Sequence, residues 1–225
     1  MAYSQILHNK TSGGGASSVT TGNLNTTGAD ILVVAVTDYS VVALGSVSDN
    51  KGNTWTQLTT QAGTIARCTL WYAVNPTVGS NHTFTYTAGS TVYPTIYVQA
   101  WSGSDLTSPF DVQNGSKDSG STTIQPGSIT PNNANSLIIT AVNFWTNTNA
   151  PTINSSMTVD DTAVYSAGAE FGGGIAYIVQ GSAAAINPTW SANISGGNAA
   201  VIAAFKPASG GGGATVSNLF HGINF

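Results

Sequence analysis

The sequence predicts an all-β protein, an antiparallel β-sandwich of jelly-roll or immunoglobulin-like type. Three observations lead there. Apolar and β-branched runs of five to ten residues alternate with clusters of Gly, Asn, Pro and Ser. No stretch keeps a helical period. In Thr83-Phe84-Thr85-Tyr86-Thr87 the aromatic residues share one face and the threonines the other, the two-residue period of a half-buried strand.

The predicted strands follow in chain order. Asp30–Asp38 carries the longest apolar run, Ile31-Leu32-Val33-Val34-Ala35-Val36, which is too short to span a bilayer. Asp49-Asn50-Lys51-Gly52-Asn53 is a turn with Gly52 free to take positive φ, and Thr54–Thr60 leaves it as a strand. Arg67–Val74 contains the single cysteine, Cys68, read as a small buried hydrophobe. His82–Thr87 and Thr95–Trp101 complete a first series. Pro109-Phe110-Asp111-Val112 looks like a strand rather than a tether. Ser136–Phe144, Gly174–Gln180, Thr189–Ala192 and Ala199–Lys206 form a second series.

The two series read as one pattern written twice. A shift of about 105 residues places Leu32-Val33-Val34 on Leu137-Ile138-Ile139 and Asp38-Tyr39 on Asn143-Phe144. It also places Tyr72 on Tyr177, Val74 on Val179, and Ile96-Tyr97 on Val201-Ile202. The constant offset of apolar strands carries the comparison, since identities are few. The predicted organisation is a first β-sandwich repeat over 1–107 and a second over 108–209. Residues 210–225 are a glycine spacer and an apolar tail, in which Leu219, Phe220, Ile223 and Phe225 would dock on a neighbouring surface.

Composition narrows the function. Only 6% of the chain is charged, against roughly 25% in ordinary soluble domains. Five Lys and Arg against nine Asp and Glu cannot assemble a phosphate-binding stripe, so nucleic acid is not an expected partner. One cysteine excludes an internal disulfide and a cysteine metal cluster. The chain opens Met1-Ala2-Tyr3-Ser4-Gln5 without a basic start or an apolar segment, so no secretory signal is expected. A β-rich, charge-poor surface without a signal points to a virion component made in a host cytoplasm.

No catalytic motif stands out, and neither enzymatic activity, a cofactor nor a metal is expected. His8, His82 and His221 are scattered and read as surface polar residues. Glycoside hydrolysis would need Glu170, the one glutamate, to face Asp160 or Asp161 across a cleft. Adjacent strand residues point to opposite faces, which leaves at most one of the two aspartates available, and both read as solvated turn acids. Sugar recognition fits better, because it needs an aromatic platform with amide groups beside it. Trp55, Trp71, Trp101 and Trp190 lie in strands and are assigned to the core. Trp145 sits where a strand runs out into a polar loop, and Trp145, Asn143 and Asn147 are the candidate glycan contacts.

The run Val47-Ser48-Asp49-Asn50-Lys51-Gly52-Asn53-Thr54-Trp55, followed by Leu70-Trp71-Tyr72-Ala73, resembles a pattern of phage and bacterial surface β-sandwich proteins. The resemblance covers Ile31–Gly103 and fades in the second series, where Ser155-Ser156-Met157-Thr158-Val159 stands at the turn. It implies a β-sandwich in a virion setting and brings no catalytic residues. The expected function is a phage virion surface protein, either a capsid decoration, a head fibre or a short tail adhesin. Its expected partners are other virion proteins of capsid or tail and further copies of itself, with no membrane insertion. The alternative is a carbohydrate-binding module or lectin-like adhesin for cell-surface glycans.

Overall fold

The computed structural model describes residues 2–40 and 42–209, except for the side chain of Ser119, and within them the chain forms fourteen strands and no helix. The first half carries β1 (Ser4–Ser12), β2 (Ser18–Thr20), β3 (Ile31–Tyr39), β4 (Ser46–Asp49), β5 (Thr56–Ala62), β6 (Ala66–Val74), β7 (Phe84–Thr87) and β8 (Thr95–Ser102). The second carries β9 (Phe110–Ile124), β10 (Ser136–Phe144), β11 (Thr152–Ile153), β12 (Thr158–Ala163), β13 (Gly172–Gln180) and β14 (Trp190–Phe205). The protein is an all-β, antiparallel sandwich. The predicted strands Thr189–Ala192 and Ala199–Lys206 are one strand, β14, whose register against β9 shifts between Ser191 and Asn198.

Two large sheets face each other. Sheet 1 has the order β1-β8-β3-β6-β5, and sheet 2 runs β9-β14-β10-β13-β12. The order is therefore the same in both, and so is the central register. Val36 pairs with Ile96 in sheet 1, while Ala141 pairs with Val201 in sheet 2, each partner 105 residues further along. The neighbouring pair slips by one residue, since Val34 meets Trp71 and Ile139 meets Tyr177.

The outer layers repeat as well. Sheet 3, β2-β7-β4, covers the outside of sheet 1. On the outside of sheet 2, the end of β9, the start of β14 and β11 form a shorter trio, with Ile124 opposite Trp190 and Thr152 opposite Ser191.

Side-chain alternation explains why these layers hold. On β3, Ile31, Val33 and Ala35 face sheet 2, while Leu32, Val34 and Val36 face sheet 3. Both faces are buried, which is why this strand reads as an unbroken apolar run. On β10, Leu137, Ile139 and Ala141 face sheet 1, and Ile138, Val142 and Phe144 pack with Trp190, Ile124 and Met157. Each fully buried aliphatic side chain of this kind is worth roughly 1.5–3 kcal/mol. Trp71, Trp101 and Trp190 are core residues, and Cys68 is buried.

The aspartate of the first turn motif organises its surroundings. Asp49 Oδ1 accepts the backbone N–H of Lys51 at 2.8 Å and the side-chain amide of Asn53 at 3.2 Å, and Oδ2 accepts the Trp55 indole N–H at 2.7 Å. Gly52 closes the turn at φ 73°, a left-handed conformation that costs glycine little. These bonds hold Asn53 and Trp55 to the turn, so β5 begins at Thr56, two residues later than the sequence suggests. His82 corrects a second expectation. It is fully buried, with Nδ1 2.8 Å from the Thr26 hydroxyl, its ring stacked on Phe84 at 4.3 Å, and Nε2 3.3 Å from Asp49 Oδ1.

At the end of the sandwich where β3 and β10 finish, a buried ion pair replaces apolar packing. Arg67 donates from Nε to Asp38 Oδ1 at 2.6 Å and from Nη2 to Oδ2 at 2.5 Å, and its Nη1 reaches the Val42 carbonyl at 2.7 Å. The Tyr86 hydroxyl, brought from sheet 3, donates to Asp38 Oδ2 at 2.6 Å. Leu219, Phe220, Ile223 and Phe225 of the predicted docking tail, and His221, lie outside the described residues.

Candidate functional site: an aromatic cleft

The same end of the sandwich carries the chemistry. Tyr39 closes β3 and its N–H donates to the Val92 carbonyl at 2.8 Å; Trp145 follows β10 and its N–H donates to the Gly197 carbonyl at 3.2 Å. Phe144 holds the place in β10 that Tyr39 holds in β3, and Trp145 stands one residue beyond it. The connections beside them differ. β5 and β6 are joined by the short turn Gly63–Ile65, whereas β12 and β13 are joined by the longer Val164–Phe171. Paired backbone bonds between Ser166 and Glu170, at 2.9 and 3.0 Å, close that longer segment into a turn. A cleft of about 210 Å³ opens between it and the strand ends, lined chiefly by Tyr39, Tyr93, Trp145, Tyr165, Glu170 and Phe171.

The rings brace one another. Phe171 forms the floor, 5.8 Å from the Tyr39 ring and 6.0 Å from that of Tyr93. Tyr93 adopts φ 51°, a left-handed conformation that strains a bulky residue, and it precedes Pro94. Its place is fixed on both sides: the Val92 N–H bonds the Ala16 carbonyl at 3.0 Å, and the Gly13 N–H bonds the Pro94 carbonyl at 2.8 Å. Behind Trp145, Gly172 lets β13 lie against the loop. A Cβ there would stand 2.7 Å from Asn147 Cβ and 2.9 Å from the Phe144 carbonyl oxygen.

Glu170 supplies the charge. Its Oε1 accepts Lys10 Nζ at 3.2 Å and the Ser12 hydroxyl, both from β1 in the other half of the molecule. Further along β1, Gln5 donates to Asp160 Oδ2, as does Gln99 from the neighbouring β8, and His8 Nδ1 lies 2.9 Å from Asp161 Oδ2. The Asp161 hydrogen bond raises the His8 pKa, and burial raises that of Asp160. The expectation that Asp160 and Asp161 are solvated turn acids on opposite faces is corrected here. They lie within β12, where a bulge between Val159 and Asp161 turns both toward the β1 side.

The candidate glycan contacts separate. Trp145 is half-buried and lines the cleft. Asn143 is fully buried, and its amide donates to the carbonyls of Asp38 and Arg67, each at 3.0 Å, tying sheet 2 to sheet 1. Asn147 is also fully buried; it donates to the Asn149 carbonyl at 2.6 Å and accepts the Asn193 N–H at 2.9 Å. Its own carbonyl takes the Tyr165 N–H at 2.6 Å. Both asparagines therefore position the cleft wall and do not reach a ligand. Tyr39, Tyr93, Tyr165 and Phe171 were not legible as one site; the available signal was the long aromatic-flanked segment between β12 and β13.

Comparison with family models, curated proteins and solved structures returns no match. A larger groove of about 480 Å³, lined by Ala62, Gly63, Thr64, Lys117 and Asp118, lies beside the short β5–β6 turn. No aromatic ring is among its described lining residues. The smaller cleft combines ring faces with a carboxylate, as the recognition of a polyhydroxylated ligand requires.

Proposed function

We propose that this protein is a surface-displayed recognition protein of the phage virion or tail-adhesin kind that binds a saccharide of a cell-surface glycan in the aromatic cleft. The observation that carries the glycan assignment is the set of rings from both halves around one carboxylate. Ring faces take the apolar side of a sugar, and the tyrosine hydroxyls, Ser166 and Glu170 offer hydrogen bonds to its hydroxyl groups. The virion setting is supported by the charge-poor composition and by the resemblance of the Val47–Trp55 run to a pattern of phage and bacterial surface sandwiches.

The size of the cleft bears on how it would work. A volume of about 210 Å³ suits one sugar ring. A ligand of about 12 non-hydrogen atoms, at roughly 0.3 kcal/mol per atom, gains about 4 kcal/mol, a dissociation constant near 1 mM. Useful adhesion then needs many copies on one particle. The test is a glycan array probed with the protein displayed multivalently on beads. Selective capture by a glycan, abolished by Trp145→Ala with the melting temperature preserved, is the expected result. Capture of no glycan refutes glycan recognition, and undiminished capture by Trp145→Ala refutes the aromatic cleft as its site. Co-sedimentation with phage particles tests the setting separately.

A further inference from the structure

We infer that the cleft selects neutral saccharides against acidic ones and that Glu170 is the selecting residue, an inference that rests on the saccharide assignment above. Both hydrogen bonds that the Glu170 side chain accepts go to Oε1, from Lys10 and Ser12. Among the described residues none donates to Oε2. The side chain keeps 17% of its surface exposed on the cleft it lines. Oε2 is therefore placed to accept hydroxyl groups of a ligand, as a carboxylate oxygen can only accept.

The surrounding charges act in the same direction. No Lys, Arg or His is among the described lining residues of the cleft. Lys10 is committed to the Glu170 carboxylate itself. Asp160 and Asp161 lie on β12 and meet β1 beyond the cleft, where His8 is hydrogen-bonded to Asp161. A ligand carboxylate would thus approach a like charge with no cation of its own to pair with. The hydroxyl groups of Tyr39, Tyr93, Tyr165 and Ser166 can donate to either kind of ligand, so they do not discriminate. Selection comes from repulsion of the wrong ligand as much as from attraction of the right one.

The experiment uses the full chain and matched sugars differing by one carboxylate: glucose with glucuronate, galactose with galacturonate, and N-acetylglucosamine with N-acetylmuramate. Binding is read by NMR titration, which reaches millimolar affinities. For each pair that binds in a Trp145-dependent way, the neutral sugar is expected to bind at least about tenfold more tightly. In Glu170→Gln the neutral sugar should bind more weakly and that ratio should fall to within about threefold, with the melting temperature within a few degrees of the parent. An acidic sugar that binds as tightly as its neutral partner refutes the selection while leaving saccharide binding in place. A ratio that survives Glu170→Gln refutes the role of Glu170. Absence of Trp145-dependent binding across all pairs refutes the saccharide assignment and the selection with it.

Discussion

Replacing Arg67 by methionine should be among the most damaging single changes to this fold. The arginine makes two bonds to Asp38, at 2.6 and 2.5 Å, and a third to the Val42 carbonyl at 2.7 Å. Asp38 has 1% of its surface exposed, and without the arginine the Tyr86 hydroxyl is its only side-chain donor among the described residues. An uncompensated buried charge of this kind costs about 3–5 kcal/mol. For a chain of this length each kcal/mol moves the melting temperature by about 2–4 °C, so Arg67→Met should melt roughly 6–20 °C lower. The double variant Asp38→Leu/Arg67→Met removes both charges and should recover most of the loss. Equilibrium denaturation of the parent, both single variants and the double variant closes a double-mutant cycle, with a coupling of at least about 3 kcal/mol expected. A cost below about 1 kcal/mol for Arg67→Met, or single-variant costs that simply add, would refute the description of this cluster as a buried, mutually dependent pair.

Gly172→Ala should destabilise by about 1–3 kcal/mol, because the added carbon would meet Asn147 Cβ at 2.7 Å and the Asn147 carbonyl oxygen at 2.8 Å. Chemical denaturation measures this, and a cost under about 0.5 kcal/mol would show that the loop behind Trp145 yields easily. The described histidines should titrate on opposite sides of the ordinary value of 6.5, His8 above it through its bond to Asp161 and His82 below it through burial. The His8 contact therefore contributes stability fully below pH 6.5 and loses it as pH rises through the raised value. His82 acts in the opposite sense, since the unfolded chain takes up its proton first as pH falls below 6.5. NMR titration of the imidazole resonances checks the order, and a reversed order contradicts both environments.

The strands that were legible in the sequence are those whose side chains alternate or are buried on both faces, such as β3, β7 and β10. β1 and β12 were not, because Ser4–Ser12 and Thr158–Ala163 are edge strands with mostly polar side chains. Their pairing depends on residues far apart in sequence, as when Lys10 reaches Glu170, and no local pattern announces such contacts. Asn143 and His82 were misplaced for a related reason. Polar residues usually mark the surface. Here each is buried where a backbone carbonyl or a hydroxyl from another strand satisfies it. Trp145 was legible because it stands where an apolar strand meets a run of Asn and Thr. Its partners Tyr39 and Tyr93 come from the other half, and only the folded arrangement brings them to it.

The unequal connections at the cleft end separate what differs between the two halves from what they share. Strand order is the same on both sides, so the longer Val164–Phe171 segment is an elaboration on a shared frame, tied to it by Glu170 on β1 and by the buried Phe171 ring. The short Gly63–Ile65 turn occupies the corresponding socket in the first half, beside the groove that Lys117 and Asp118 line. One socket is furnished and the other is bare. A protein built on this plan can grow a second aromatic cleft from the bare turn while the longer segment stays as it is.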